Sequence, residues 1–230
     1  MVGPPPPGLP AGAASDLAEE TFLLAGRQVR MLRPRDGDAL LDELLEEDDP
    51  DEDRLPFWAE LWPSGTALAR AVAGRPLGGQ RVLELGCGLG LVSVAAAAAG
   101  ADVLAVDRCP EAIAFTVANA ARNGVRLRTA VCAFDQPERL LAEAPWELVL
   151  AADVLYEPRN IPELLRLLPA LVDGAGEVWL ADPGRNTAGG FLAGADADGW
   201  RRESTAADPA TVTIHRLRRR TGGRGDLGRP

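Results

Sequence analysis

Runs of apolar residues alternate with helix-like stretches along most of the chain beyond residue 55. The runs have the length of buried strands and lie at residues 81–85, 102–106, 127–134, 146–151 and 177–181. Between them, residues 89–99, 110–123, 138–143 and 161–171 have the spacing or composition of helices. Strands that alternate with helices in this way predict an α/β domain with a doubly wound, mostly parallel sheet and right-handed crossovers.

Hairpins are predicted at both ends of this domain. The runs at 200–204 and 211–217 lie too close together for a crossover helix, so we expect an antiparallel hairpin that completes a seven-stranded sheet. Residues 21–32 alternate around Ala25–Gly26, which predicts a small N-terminal hairpin. We therefore assign 16–55 to an N-terminal extension with a hairpin and an acidic helical segment, and 56–218 to the main domain. Residues 1–15, rich in Pro, Gly and Ala, and the tail 219–230 are expected to be disordered.

The composition is that of one globular domain with short appendages. Hydrophobic residues make up 47% of the 230 residues. No apolar run approaches the roughly 18 to 20 residues that span a bilayer, so no membrane partner is expected. The first residues lack the basic and apolar regions of a secretory signal, so we expect a cytoplasmic location. Cys87, Cys109 and Cys132 are odd in number and lack C-x-x-C spacing, which argues against disulfides and a metal site.

Charge is distributed unevenly along the chain. A net charge of −10 does not suit the basic face that nucleic acid requires, so no nucleic-acid partner is expected. Eleven carboxylates and no basic residue lie between Asp36 and Asp53. We interpret this segment either as a solvated helix and loop or as a surface that attracts a basic protein partner.

A glycine-rich turn follows the run 81–85 and opens a helix. It reads Glu84-Leu-Gly-Cys-Gly-Leu-Gly90, an E-x-G-x-G-x-G pattern. Glycines in this position let the backbone approach a ligand, and the helix amides then face an anion. Seventeen residues beyond Gly90, Asp107 follows the run 102–106, where doubly wound folds place the acid that binds both ribose hydroxyls.

An acid and the chain's single tyrosine follow the run 146–151. They are Asp153 and Tyr156, in the sequence A-A-D-V-L-Y-E-P. We expect the next helix to start near Asn160. Asp153 lies seven residues before that start, which is too early to cap the helix. A carboxylate at the carboxyl end of a parallel strand lies in the crevice where open α/β sheets bind ligands. The position therefore favours a role in chemistry.

Three aromatic residues, Phe57, Trp58 and Trp62, fall within six residues, and Ser64 is a candidate N-cap for a helix over 66–73. Alone, such a cluster is more typical of core packing. Together with E-x-G-x-G-x-G and D-x-x-Y, the W-A-x-x-W-P-x-G segment resembles the lysine methyltransferase branch of the class I, seven-β-strand S-adenosylmethionine-dependent methyltransferases. It is most similar to the group that contains the electron transfer flavoprotein β-subunit lysine methyltransferase and its bacterial relatives. The resemblance covers roughly residues 20–218.

The resemblance implies a Rossmann-like methyltransferase fold, S-adenosylmethionine as cofactor, and no metal. Asp153 would orient and help to deprotonate the acceptor amine, and Tyr156 would wall its channel. The residues that would bind the cofactor are Trp62, Glu84, Gly86, Gly88, Gly90, Asp107, Phe134 and Ala152. Many family members have an acid followed by Trp after the third strand, where the adenine stacks, whereas here Phe134 is followed by Asp135.

Three functions stay open from the residues. The leading one is a protein-lysine N-methyltransferase that acts as a monomer on a protein substrate with a target lysine. The others are a small-molecule N-methyltransferase for a nicotinamide-like pyridine or an amine, and a non-catalytic cofactor-binding module. Intact motifs favour an enzyme.

His215, the single histidine, is interpreted as a half-exposed strand residue or a general base, and the loop 182–185 is expected to line the substrate entrance.

Overall fold

Strands and helices follow the alternation of the sequence. The computed structural model describes residues 16–37, 40–42 and 55–219. Its strands are β1 (Leu17–Leu24), β2 (Arg27–Pro34), β3 (Arg81–Leu85), β4 (Asp102–Asp107), β5 (Arg128–Val131), β6 (Trp146–Ala152), β7 (Val172–Asp182), β8 (Trp200–Ala206) and β9 (Thr213–Arg219). A 3₁₀ turn over Pro56–Ala59 precedes the helices α1 (Pro63–Ala73), α2 (Leu91–Ala98), α3 (Pro110–Arg122), α4 (Glu138–Ala142), α5 (Asn160–Leu171) and α6 (Ala188–Ala197).

Seven strands form one sheet in the order β5–β4–β3–β6–β7–β9–β8. The strands from β5 to β7 in this order pair in parallel, and β9 pairs antiparallel with both β7 and β8. The predicted mostly parallel, seven-stranded sheet with a C-terminal antiparallel hairpin is confirmed. The chain winds outward from β3 in both directions, so a crevice opens at the carboxyl ends of β3, β4 and β6.

The central strands are apolar on both faces because helices cover both sides of the sheet. In β3, Val82 packs into one apolar cluster and Leu83 into the other, and Leu148 and Val149 of β6 alternate in the same way. Helices α1, α2 and α3 contribute to the first cluster, and α5 and α6 to the second. This two-sided burial requires nearly continuous apolar strands and fixes their carboxyl ends as one rigid edge.

The N-terminal hairpin packs against α3 through one buried amide. Strands β1 and β2 pair antiparallel around Ala25–Gly26, as the sequence predicts. The Asn119 side chain accepts a hydrogen bond from Leu32 N (2.6 Å) and donates to Leu32 O (3.0 Å) and Leu89 O (2.9 Å). Asn119 therefore ties the hairpin to the glycine-rich turn that follows β3.

Helix α1 and strands β5 and β7 differ from their predicted bounds, and β7 begins at Val172 and not at 177. Helix α1 begins at Pro63, whose fixed φ suits the first helical turn, so Ser64 is buried inside the helix and Trp62 is the N-cap. Strand β5 ends at Val131 and not at 134: Cys132 N still bonds to Asp107 O of β4 (2.8 Å), and a turn follows at 134–135. Helix α6 was not predicted at all.

Several expectations concern residues outside the described ranges. These are 1–15, most of the acidic segment 36–53, and 220–230, while Arg219 belongs to β9 and not to the tail. Within the described ranges, no helix is both long and apolar enough to cross a bilayer. In the same part of the chain, no group of three or more acid, His or Cys side chains is placed to hold a metal ion. Cys87, Cys109 and Cys132 are buried and form no disulfide with one another.

Candidate active site

A cavity of about 430 Å³ lies at the carboxyl edge of the sheet, above β3, β4 and β6. All ten sequence-predicted site residues line it: Trp62, Glu84, Gly86, Gly88, Gly90, Asp107, Phe134, Ala152, Asp153 and Tyr156. Segments far apart in the sequence thus meet at one site. Their individual roles stay predictions.

The glycine-rich turn forms the floor of this cavity with backbone atoms alone. A Cβ on Gly88 would lie 3.3 Å from Trp58 O, and one on Gly90 would lie 2.7 Å from Thr116 Oγ1. Gly90 has φ +83° and is the N-cap of α2, so a side chain there would meet both a clash and left-handed backbone strain. The amino end of α2 therefore lies at the cavity, where it suits an anionic ligand group.

Asp107 holds this turn against the end of β4. Its Oδ2 accepts a hydrogen bond from Gly88 N and its Oδ1 accepts one from Cys109 N, both at 2.9 Å. Burial raises the pKa of Asp107, while the same two N–H groups act to lower it. Each carboxylate oxygen keeps a further lone pair, which two adjacent hydroxyls of a ligand can use.

Glu84 lies beneath the turn and is almost fully buried, with 2% of its surface exposed. The Ser93 hydroxyl donates a hydrogen bond to its carboxyl group. Burial raises the pKa of Glu84 to about 8. The carboxyl group is therefore protonated at neutral pH and acts as a neutral hydrogen-bonding group.

We expect Glu84→Gln to remove a pH dependence of stability. The folded protein binds a proton on Glu84 up to about pH 8, whereas in the unfolded chain this proton leaves near 4.5. The free energy of unfolding of the wild type should therefore fall as pH rises from about 4.5 to about 8, by on the order of a few kcal/mol. Gln mimics the protonated acid, so the variant should match the wild type near pH 5 and exceed it near pH 8. Urea unfolding at both pH values measures this, and a variant equal to the wild type at both would contradict the assignment.

Asp153 has a strained backbone and one unpaired oxygen. Its φ is +58°, rare for a residue other than glycine, and its N–H bonds to Ala181 O at 2.9 Å. Oδ1 accepts a hydrogen bond from Arg185 Nε at 2.5 Å, whereas Oδ2 is buried without a hydrogen-bond partner. Strain of this kind is typical of functional sites, and the unpaired oxygen marks where an N–H donor is missing.

Tyr156 belongs to an aromatic wall beside Asp153. Its ring packs edge-on against Phe57, with 5.3 Å between ring centroids, and its hydroxyl lies 3.4 Å from Arg108 Nη2. Burial raises the pKa of Tyr156 to about 12. The hydroxyl is therefore neutral, and it can shape the channel or donate a hydrogen bond but does not serve as a base near pH 7.

Trp62 extends this wall to the surface. Its Nε1 donates to Phe57 O at 2.8 Å, and the two residues keep 38% and 39% of their surface exposed. Phe57 lines the cavity, but from sequence it was placed only in an aromatic cluster. Arg185 also lines the cavity, in agreement with the expectation that the loop 182–185 borders the site; its bond to Asp153 was not foreseen.

His215 is not a residue of this cavity. It lies in β9, buried and not half-exposed as predicted, with Nδ1 2.8 Å from Ser204 Oγ. The reason is its register opposite Leu180 of β7, in the interior of the sheet. Burial lowers the pKa of His215, so it is a neutral structural side chain.

Comparisons with known proteins identify relatives of the chain. A family model described as lysine methyltransferase matches residues 57–190. The electron transfer flavoprotein beta subunit lysine methyltransferase of Danio rerio is 35% identical over 134 residues, 56% of this chain and 51% of that protein. The protein N-lysine methyltransferase METTL21A of Danio rerio is 35% identical over 135 residues, 56% of this chain and 62% of that protein. The chain spans about half the length of the curated relatives it matches.

Among solved structures, the fold is similar to that of the T. thermophilus 16S rRNA N2 G1207 methyltransferase, which was determined in complex with AdoMet and guanosine. The TM-score is 0.64 at 14% identity, and the match covers 90% of this chain and 51% of that chain. At this identity the likeness concerns the fold, which is the Rossmann-like methyltransferase fold.

Proposed function

The chain belongs to the lysine methyltransferase family, and from that premise we propose that it transfers a methyl group from S-adenosylmethionine to a lysine side chain of a protein. The family depends on S-adenosylmethionine. The observation that carries the proposal is the Asp153 carboxylate, which belongs to a residue of the cavity lining and has one buried oxygen, Oδ2, without a hydrogen-bond partner. Such an oxygen is suited to accept an N–H from an incoming amine.

The cavity fits S-adenosylmethionine. Gly88 and Gly90 leave no room for side chains, so the backbone of the turn itself lines the ligand space. Asp107 would accept the two ribose hydroxyls with its remaining lone pairs. Phe134 would offer an aromatic face to the adenine, and Trp62 and Ala152 would complete the wall. When bound, the cofactor supplies the activated methyl group.

The acceptor side needs a group that orients the amine and takes part in its deprotonation. A lysine side chain has a pKa of about 10.4, so roughly one molecule in a thousand is neutral near pH 7. Asp153 would receive an N–H on Oδ2 and hold the nitrogen lone pair in line with the methyl group. Tyr156 and Trp62 would flank the alkyl chain and keep water away from it.

Labelling tests this proposal against methylation of a small molecule. The purified protein is incubated with S-adenosylmethionine radiolabelled in its methyl group and a cell lysate, and the products are separated by dialysis. We expect label in a protein band. The chain contains no lysine, so lysine label cannot come from automethylation. Label confined to the dialysable fraction would contradict a protein substrate and favour the small-molecule N-methyltransferase.

We also propose a cytoplasmic location and a monomer. Three cysteines that form no disulfide in the described fold are in keeping with a reducing compartment. Neither the family nor the cavity requires a second subunit for this proposal.

A further inference from the structure

Arg185 occupies the place beside Asp153 that the proposed function reserves for a substrate cation. It follows β7 in the loop Asp182-Pro-Gly-Arg185. The backbone of this loop is fixed, because Asp182 Oδ1 accepts hydrogen bonds from Gly184 N (2.7 Å) and Arg185 N (2.8 Å). The side chain is thus the movable part of Arg185.

The Arg185 guanidinium makes three contacts typical of a bound organic cation. Its Nε donates to Asp153 Oδ1 at 2.5 Å, and its carbon lies 5.9 Å from the ring centroids of both Trp62 and Tyr156. A carboxylate combined with aromatic faces is also the environment that would bind an ammonium group. The side chain keeps 32% of its surface exposed, so it has a path to solvent.

Two other arginines line the cavity but are held differently. Arg108 pairs with Glu157 at 2.8 Å, and Arg159 pairs with the same carboxylate. Among the ion pairs of the described residues, the one to Asp153 comes from Arg185. The contact is therefore specific to the acid proposed to receive the amine.

We propose that Arg185 is an internal competitor for the acceptor site, a specificity-determining residue that swings out before a lysine amine reaches Asp153. This inference rests on the proposed function. The Arg185 guanidinium already fills the space beside Asp153 near the Trp62 and Tyr156 rings, so a substrate ammonium that takes the same place must displace it. The Arg185 side chain is 32% exposed, so its guanidinium can pass into water when displaced, and the substrate ammonium then replaces it at the buried Asp153 carboxylate. The site would then exclude weakly binding cations and admit only amines held by further contacts.

The binding of n-butylammonium, which has the four-carbon ammonium chain of lysine, tests this competition without methyl transfer. The full chain is titrated and followed by NMR at the indole N–H of Trp62. We expect Arg185→Gln to bind n-butylammonium tighter than the wild type by about fivefold or more, because the competing cation is gone. Arg185→Lys, which keeps a cation, should stay near the wild type. Neutral 1-butanol should show no difference between variants.

Three further variants make the result specific. Arg201→Gln removes an exposed arginine of β8 and should bind as the wild type does. Adding Asp153→Asn to Arg185→Gln should abolish the gain in affinity for n-butylammonium. Equal or weaker binding of n-butylammonium by Arg185→Gln than by the wild type would overturn the proposal. Arg185→Ala is titrated in the same way, so that a folding defect of one variant does not decide the result.

This assay and the labelling experiment fail independently. If the wild type labels no protein but Arg185→Gln still binds n-butylammonium more tightly than the wild type, the protein substrate is contradicted. The competition by Arg185 is then still supported. Once a substrate protein is identified, Arg185→Gln should lower the KM for that protein. A purely structural role of Arg185 would instead lower kcat.

Discussion

Asp153→Asn is expected to lower methyl transfer by about tenfold or more, equivalent to about 1.4 kcal/mol of transition-state stabilisation, while cofactor affinity stays unchanged. The Asn side chain keeps the shape of Asp but has no negative charge to attract an ammonium. Its amide nitrogen also replaces one of the two acceptor oxygens of the carboxylate. Asn tolerates the left-handed φ of +58° at this position, so the fold should persist. The loss should therefore fall on kcat.

The measurement combines single-turnover transfer with titration of S-adenosylmethionine. Asp198→Asn, at the exposed C-cap of α6 far from the cavity, is the matched control and should behave as the wild type. Full transfer by Asp153→Asn would exclude Asp153 as the group that receives the amine.

Gly90→Ala is expected to weaken cofactor binding by about tenfold or more and to lower the free energy of unfolding by about 2 to 3 kcal/mol. The new Cβ would stand 2.7–3.0 Å from three atoms of Thr116, at a φ of +83°. Thr116 cannot move freely, because its Oγ1 donates to Gly88 O at 2.9 Å. Relief of the clash must therefore shift the turn that faces the cofactor.

Gly189→Ala is the control for this variant. Gly189 lies in α6, and a Cβ there would meet nothing within 4 Å. Ala should be tolerated and should stabilise the helix by roughly 0.5 to 1 kcal/mol. Urea unfolding and calorimetric titration of the cofactor measure both variants, and equal behaviour of the two would contradict the steric account of the turn.

Much of the fold was predictable because strands that are buried on both faces are apolar along nearly their whole length. Strands β3, β4 and β6 were placed within one residue of their bounds, since each is an apolar run bounded by polar or turn residues. Asp107 and Asp153 lie at the carboxyl ends of β4 and β6, so topology predicted their place in the crevice, whereas the other site residues followed from the family resemblance.

Other features depend on packing that local sequence does not encode. Helix α6 contains three glycines, which lower helix propensity, and it is held by the buried Phe191 and Ala195. The Asp153–Arg185 contact joins residues 32 positions apart. A long side chain can point to many partners, and only the fixed loop after β7 selects this one.

The identity of the methylated atom tests the central claim most directly. Protein bands labelled by the wild type and by Asp153→Asn in parallel lysate reactions are hydrolysed, and the labelled amino acid is identified by chromatography. We expect the label to coelute with N-methylated lysine, and the Asp153→Asn reaction to give about a tenth or less of the methyl-lysine that the wild type gives. Label on another residue, or equal methyl-lysine with both enzymes, would contradict the central claim.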